Sequence, residues 1–289
     1  MQDETTQATD IQEIRAKRTV KNSVFLDLFK DKKYLLALYK VLHPEDTEAT
    51  ENSLTDVTIE NVLTDNLYND LGFIANNKLM ILIEAQSTWT LNILIRILLY
   101  LAESYHKYFE QNGQNLYGSR KVKMPKPELY VIFTGNKGRK PDTISLSKEF
   151  FNGEDIDIEV KAKVIYESDT GDIINQYIIF CKVLDEQREK YGMTEQAIKE
   201  TIRICKDRNV LKEYLESKET EVVTIMMSLF DDEKIMRNYG KSERHEEAWE
   251  TAERLIKKGK MSLEDIADCV PTLSFDELKE IEEKVMQLA

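Results

Sequence analysis

The stretch NDLGFIANNKLMILIEAQSTW, residues 69–89, decides the predicted fold. Its apolar run over 79–83 has the length and composition of a buried β-strand. The asparagines at 76 and 77 tolerate the positive φ that a tight turn requires. The stretch therefore predicts a β-hairpin whose second strand carries Glu84 and Gln86 at its carboxyl end.

The register of this hairpin decides which polar side chains meet. Side chains alternate between the two faces of a strand, so Glu84 and Gln86 are predicted to emerge side by side. A two-residue loop would pair Asp70 with Ile83 and send the Asp70 side chain to the opposite face. A three-residue loop, 76–78, or a β-bulge would pair Asp70 with Glu84 instead. The sequence is compatible with either register.

Carboxylates that converge at a partly buried strand end need a compensating charge, because ionised carboxylates repel each other and their burial is costly. A divalent cation supplies that charge, and oxygen ligands suit Mg²⁺ (or Mn²⁺). Such a cation can polarise a phosphoryl oxygen and lower the pKa of an attacking water. The residues thus indicate a hard-metal site for phosphoryl chemistry.

The order of Asp70, a hairpin, Glu84-Ala85-Gln86 and a helix resembles the D…(E/D)xK motif of PD-(D/E)XK nucleases. The ExQ form is similar to the recombination-promoting nuclease (Rpn) family, also described as transposases. The segments SVFLDLF, residues 23–29, and DIINQYIIFCKVLDE, residues 172–186, also fit that family. The resemblance covers roughly residues 20–190.

The resemblance implies a restriction-endonuclease-like α/β core, in which helices flank a mixed central sheet, with an all-helical C-terminal extension. It implies that Asp70, Glu84 and the backbone carbonyl of Ala85 bind the metal, and that Gln86 orients water where the wider superfamily has lysine. It also implies a DNA endonuclease connected with recombination, mobile elements or phage defence. Glutamine carries no charge, so the source of the positive charge that lysine would supply is left open.

Arg96 is a candidate for that charge, on the helix predicted over about 90–111. Arg96 and Tyr100 are four residues apart and share one stripe of this helix. One interpretation puts both beside the strand end, holding the scissile phosphate or the carboxylates, and the alternative is an ordinary solvated face. Asp27 is a further candidate, because some members of the superfamily use an acid on the first helix.

A basic segment lies between Gly118 and Pro141, in a protein of net charge −13. It holds seven basic residues and one acid, Glu128. The seven are Arg120, Lys121, Lys123, Lys126, Lys137, Arg139 and Lys140. The segment is interpreted either as a solvated loop or as a patch that contacts nucleic-acid phosphates.

The rest of the chain predicts further strands at 127–136 and 160–168 and an almost wholly helical sequence from Asp172 onward. The predicted domain organisation is a polar N-terminal tail (1–20), a nuclease-like domain (21–190) and a helical C-terminal region (191–289). The acidic tail is not a signal peptide, and no apolar run is long enough to span a bilayer. These features predict a cytoplasmic protein without a membrane partner.

Several residue types are predicted to play no part in chemistry. The three cysteines and three histidines have neither disulfide nor metal-ligand spacing, so the cysteines are expected as reduced thiols. Trp89, Tyr105, Tyr108 and Phe109 are expected to pack in the core rather than stack on bases. A helix-turn-helix pattern near the C-terminus has an acidic second helix, which favours a protein-interaction or packing module over a DNA reader.

Three interpretations of function remain. The first is a magnesium-dependent DNA endonuclease. The second is a catalytically weak or inactive protein of the nuclease fold that acts as a scaffold for nucleic acid or protein, which the missing lysine and the acidic balance favour. The third is a helical interaction protein in which Glu84 pairs with Arg96. A homodimer is left open in each case.

Overall fold

The computed structural model describes residues 24–56, 71–76, 79–135 and 141–287. These residues form two compact units, 24–230 and 231–287. The larger unit contains a mixed sheet with helices on both faces, and the smaller unit is helical. The prediction of an α/β protein with a mixed sheet and C-terminal helices is therefore confirmed.

The sheet has six strands in the described residues, in the order β1-β2-β3-β4-β6-β5. Their bounds are β1 (Leu54–Asp56), β2 (Leu71–Ala75), β3 (Leu79–Gln86), β4 (Lys126–Phe133), β5 (Thr143–Ser145) and β6 (Lys161–Ile165). Strands β3, β4 and β6 are parallel, whereas β1, β2 and β5 pair antiparallel with their neighbours. The three-residue strand β5 forms one edge of the sheet.

Ten helices are seen in the same residues. Residues 24–30 form α1. The others are α2 (Lys32–Leu42), α3 (Ile93–Gln111), α4 (Leu146–Phe150), α5 (Ile173–Tyr191), α6 (Glu195–Asp207), α7 (Lys212–Ser217), α8 (Glu219–Lys258), α9 (Leu263–Cys269) and α10 (Phe275–Gln287). Helix α2 ends at Leu42, because His43 precedes Pro44 and a residue before proline avoids the helical region.

The β2–β3 hairpin has the register of the three-residue alternative. Leu71 pairs with Ile83 and Ala75 pairs with Leu79, so residues 76–78 connect the strands. Asn76 has a φ of 52°, in the left-handed region that asparagine tolerates. Residues 77 and 78 lie outside the described part of the chain.

The two faces of the sheet pack against different helices. Ile81, Ile83 and Ala85 join a core with apolar residues of α1, α2 and α5. Leu82 lies on the other face, where it clusters with Ile74 of β2 and with Tyr100 of α3. The predicted alternation of β3 is confirmed at these positions, and α3 covers the face that carries Leu82.

The core of the larger unit continues past the predicted domain boundary at residue 190. Ile198 of α6, Tyr214 of α7 and Met226 of α8 are fully buried in the same cluster as Ile81. Helix α6 is amphipathic, and its apolar stripe is buried against α5 and α7. The larger unit thus extends to residue 230, because these helices complete its core.

The smaller unit contains residues 231–258 of α8 together with α9 and α10. Its core includes Ala252, Ile266 and Leu278. Ser274 caps α10 and donates to Glu277, which also contacts His245 at 2.8 Å. The hydrogen bonds from Ser274, and then that from His245, lower the pKa of Glu277 to about 2.

Candidate active site

The carboxyl ends of β3 and β4 are joined tightly. The backbone N–H of Thr134 donates to the Gln86 carbonyl at 2.9 Å. Gly135 lies so close to the following turn that a Cβ there would be 2.1 Å from the Ser87 carbonyl oxygen. Only glycine permits this approach, so Gly135 fixes the position of the turn that follows β3.

Gln86 is 1 % exposed at the end of β3. Its Nε2 lies 3.4 Å from the Thr90 carbonyl, in the connection to α3. This contact stabilises the connection between β3 and α3. The buried Gln86 amide therefore has a structural contact in addition to the water-orienting role predicted for it. The side chain of Ala85 is buried on the opposite face of the sheet.

Arg96 and Tyr100 lie on the helix that covers β3. The Arg96 guanidinium carbon is 5.9 Å from the centre of the Tyr100 ring, a cation–π distance. Tyr100 is 4 % exposed and packs in the cluster that contains Leu82. The alternative interpretation, that this part of α3 is an ordinary solvated face, is wrong, because Tyr100 is buried and Arg96 is partly buried against it.

The predicted carboxylates fall outside what the structure describes. Asp70 is not among the described residues, and Glu84 is described only by its backbone, which pairs with Val131. In the described ranges, no group of three His, Cys, Asp or Glu side chains could hold a metal ion. Asp70 and the side chain of Glu84 are not among the groups that this statement covers.

Asp27 belongs to a different contact. Its carboxylate accepts a hydrogen bond from the Tyr214 hydroxyl at 2.7 Å and lies 3.4 Å from Lys218 Nζ. These contacts tie α1 to α7 and to Lys218, the residue between α7 and α8. Asp27 therefore has a structural role, and its predicted place among the active-site acids is not supported by its neighbours.

The basic segment does not gather at one place near the strand end. Arg120, Lys121 and Lys123 are exposed and precede β4, at the end of the sheet where Lys126 pairs with Leu79. Seven residues of β3 separate that end from Gln86, roughly 23 Å at about 3.3 Å per residue. These three residues therefore cannot share one phosphate with Gln86. Lys137, Arg139 and Lys140 lie outside the described residues.

The aromatic residues pack as predicted. Trp89 packs edge-on against Phe133 with ring centres 5.6 Å apart. Phe109 is 9 % exposed, and the Tyr105 ring stacks on it at 5.9 Å. These rings help to hold α3 and the turn before it against the sheet.

A second cluster of titratable groups surrounds His43, where α2 ends. Its Nδ1 lies 2.8 Å from Glu45, and its Nε2 lies 3.1 Å from Glu128 of β4. The Tyr130 hydroxyl donates to the same Glu128 carboxylate at 2.8 Å. No sequence pattern predicts this cluster as a whole, because only the fold brings β4 to the end of α2. The spacing of His43 and Glu45 was its only local signal.

The carboxylate of Glu128 is the centre of this cluster. Burial would raise its pKa, but the hydrogen bond from Tyr130 and the nearby His43 and Lys126 outweigh burial and lower the pKa. The hydrogen bond to Glu128 and burial both raise the pKa of Tyr130, burial more strongly. The cluster is thus a partly buried polar contact between the end of α2 and the sheet.

We expect Glu128→Gln to lower the free energy of unfolding at neutral pH by about 2 kcal/mol, the usual value of a hydrogen bond to a charged group. The folded pKa of Glu128 lies below its unfolded value, so its contribution is present above the unfolded pKa, near 4.3, and is lost as pH falls through the folded pKa. Urea unfolding of the variant and of the exposed control Glu48→Gln, at pH 7 and below pH 4, measures this difference. A loss that does not change with pH would point to packing instead of charge.

Comparisons with protein-family models, with curated proteins and with solved structures found no match to this chain. In the described ranges, no helix combines the length and the apolar character needed to cross a membrane.

Proposed function

We propose that this chain is a metal-dependent DNA endonuclease of the PD-(D/E)XK type. The observation that carries the proposal is the register of the hairpin, in which Leu71 pairs with Ile83. If the same register continued by one residue, position 70 would lie opposite position 84. Asp70 and Glu84 would then lie on the face of the sheet that α3 covers, the arrangement that the predicted metal site requires.

The surroundings of this strand end support the proposal. Gly135 and Thr134 fix the turn after β3, which gives the site a rigid base. Arg96, partly buried on α3, brings a permanent positive charge to the same face of the sheet. It would replace the charge of the lysine that the PD-(D/E)XK motif has at position 86.

In this proposal Asp70 and Glu84 hold the metal, with the Ala85 carbonyl as a further ligand. When bound, the metal would act as a Lewis acid that polarises the phosphate and lowers the pKa of the attacking water. Arg96 stabilises the charge that develops on the phosphate oxygens. Tyr100 orients Arg96 through its ring. By its resemblance to the Rpn family, the proposed context is recombination, mobile elements or phage defence in the cytoplasm.

A second candidate is a nuclease-fold protein that binds nucleic acid without cleaving it. The observation that favours it is the environment of Gln86, which is buried with its amide directed at the Thr90 carbonyl. An amide used in this way is less available to orient water. The two candidates predict the same fold and differ only in turnover.

Supercoiled plasmid DNA separates the candidates. We expect the wild-type protein to nick the plasmid with Mg²⁺ or Mn²⁺ and not with EDTA. Asp70→Ala should abolish nicking, whereas the matched control Glu48→Ala, which removes an exposed acid, should leave it unchanged. Metal-independent nicking, or full activity of Asp70→Ala, would overturn the proposal. Binding without nicking in either metal would establish the second candidate.

A further inference from the structure

The segment between α3 and β4, residues 112–125, forms a closed surface loop, here called the basic loop. The Gln114 side chain bridges its two ends: Oε1 accepts from the Lys123 backbone N–H at 2.7 Å, and Nε2 donates to the Lys123 carbonyl at 2.6 Å. The Tyr105 hydroxyl of α3 donates to the Pro125 carbonyl at 2.7 Å. The loop is thus held at its base by side chains that the helix and the loop itself supply.

The tip of the basic loop holds an aromatic ring in solvent. The backbone N–H of Tyr117 donates to the Asn115 side chain at 2.9 Å, and the N–H of Gly118 lies 3.3 Å from the Asn115 carbonyl. These contacts order the backbone of the tip, yet Tyr117 is as exposed as in an extended chain, at 101 %. An ordered backbone that holds an aromatic ring in solvent forgoes the burial of that ring, and no contact within the described ranges compensates for the loss.

The charge of the basic loop has one sign. Arg120, Lys121 and Lys123 are exposed, and the sequence has no acidic residue from 112 to 127. The protein as a whole carries a net charge of −13, so this local sign is opposite to that of the protein. A polyanion is the partner that such a loop would attract.

We propose that the basic loop binds single-stranded nucleic acid, with the Tyr117 ring stacked on an unpaired base and the three basic side chains at backbone phosphates. An exposed aromatic ring among basic residues is the arrangement that non-specific single-strand binding uses. A paired base already stacks on its neighbours, so the ring favours a single strand over an intact duplex. The choice of DNA as the strand rests on the proposed nuclease function.

The position of the basic loop sets the length of nucleic acid that would be needed to reach from the loop to the strand end at Gln86. It lies at the end of the sheet opposite to Gln86, roughly 23 Å along β3. At about 3.4 Å per nucleotide step, that distance corresponds to about seven nucleotides of a duplex-like strand. A substrate with a single-stranded region about seven nucleotides or more from the scissile phosphate would reach both places.

Fluorescence anisotropy with a labelled oligothymidylate, in EDTA, tests the loop on the full chain. We expect Tyr117→Ala to weaken binding about 5- to 150-fold, the range measured for one base stacked on an aromatic ring, and Tyr117→Phe to bind like the wild type. Replacing the three basic residues by serine should reduce the slope of log K against log salt by about 2, at roughly 0.7 per phosphate contact. Phe151→Ala, which removes an exposed aromatic ring elsewhere, is the matched control.

Several outcomes would overturn the proposal: no binding by the wild type, equal binding by Tyr117→Ala, or an equal loss on a blunt duplex. Binding to anionic phospholipid vesicles in place of the oligonucleotide would assign the loop to membranes and would also overturn it. Plasmid nicking distinguishes the two proposals of function. Tyr117-dependent binding without nicking supports the loop and contradicts the nuclease, whereas nicking with Tyr117-independent binding does the reverse.

Discussion

Gly135→Ala is expected to destabilise the larger unit by about 3 kcal/mol or more, beyond the usual cost of an overpacked site. The new Cβ would lie 2.1 Å from the Ser87 carbonyl oxygen and 2.8 Å from the Phe133 ring. A backbone oxygen cannot move aside as a flexible side chain can, so the ends of β3 and β4 must separate. Chemical denaturation followed by circular dichroism measures the loss.

Gly118→Ala is the matched control for this prediction. Its Cβ would meet Asn115 at 3.5 Å, an ordinary van der Waals distance, and its φ is not in the left-handed region. We expect a change within about 0.5 kcal/mol, as for most surface substitutions. Equal stability of the two variants would show that the turn after β3 can move freely.

Glu84→Gln is expected to reduce plasmid nicking at least about 100-fold, since loss of a charged group at the reacting phosphate has effects of this size. It should also remove the stabilisation of the folded protein by magnesium, which for a metal-binding site is about 2.7 kcal/mol at a hundred times the Kd. In EDTA the variant should be as stable as the wild type or more stable, because a repulsive carboxylate is gone. Thermal unfolding with magnesium and with EDTA gives both comparisons.

Glu48→Gln should keep both the activity and the magnesium response, because Glu48 is an exposed acid remote in sequence from the proposed ligands. If Glu84→Gln is stabilised by magnesium as strongly as the wild type, the metal binds elsewhere and the ligand assignment is wrong.

Local patterns were enough to predict the hairpin and the alternation of β3. The apolar run of β3 and the turn-forming asparagines are both signals within a few residues, and the hairpin that they predict is confirmed. The register was left with two alternatives because a loop of two or three residues suits the same asparagines. Backbone pairing of Ala75 with Leu79 decided between them.

Contacts between distant segments were not predictable in the same way. Asp27 meets Tyr214, and Glu128 meets His43, only because the fold brings separate helices and strands together. The close approach of Gly135 to Ser87 likewise has no signal in the sequence. The basic segment looked continuous in sequence, although β4 separates Lys123 from the residues after Gly135.

The short edge strand β5 has a consequence for self-association. It offers three residues for pairing, Thr143 to Ser145, and Pro141 shortly before it has no backbone N–H to donate. A second molecule that tried to extend the sheet there would gain few hydrogen bonds. Among the residues that the structure describes, this edge is therefore a poor template for fibre-like growth by strand addition.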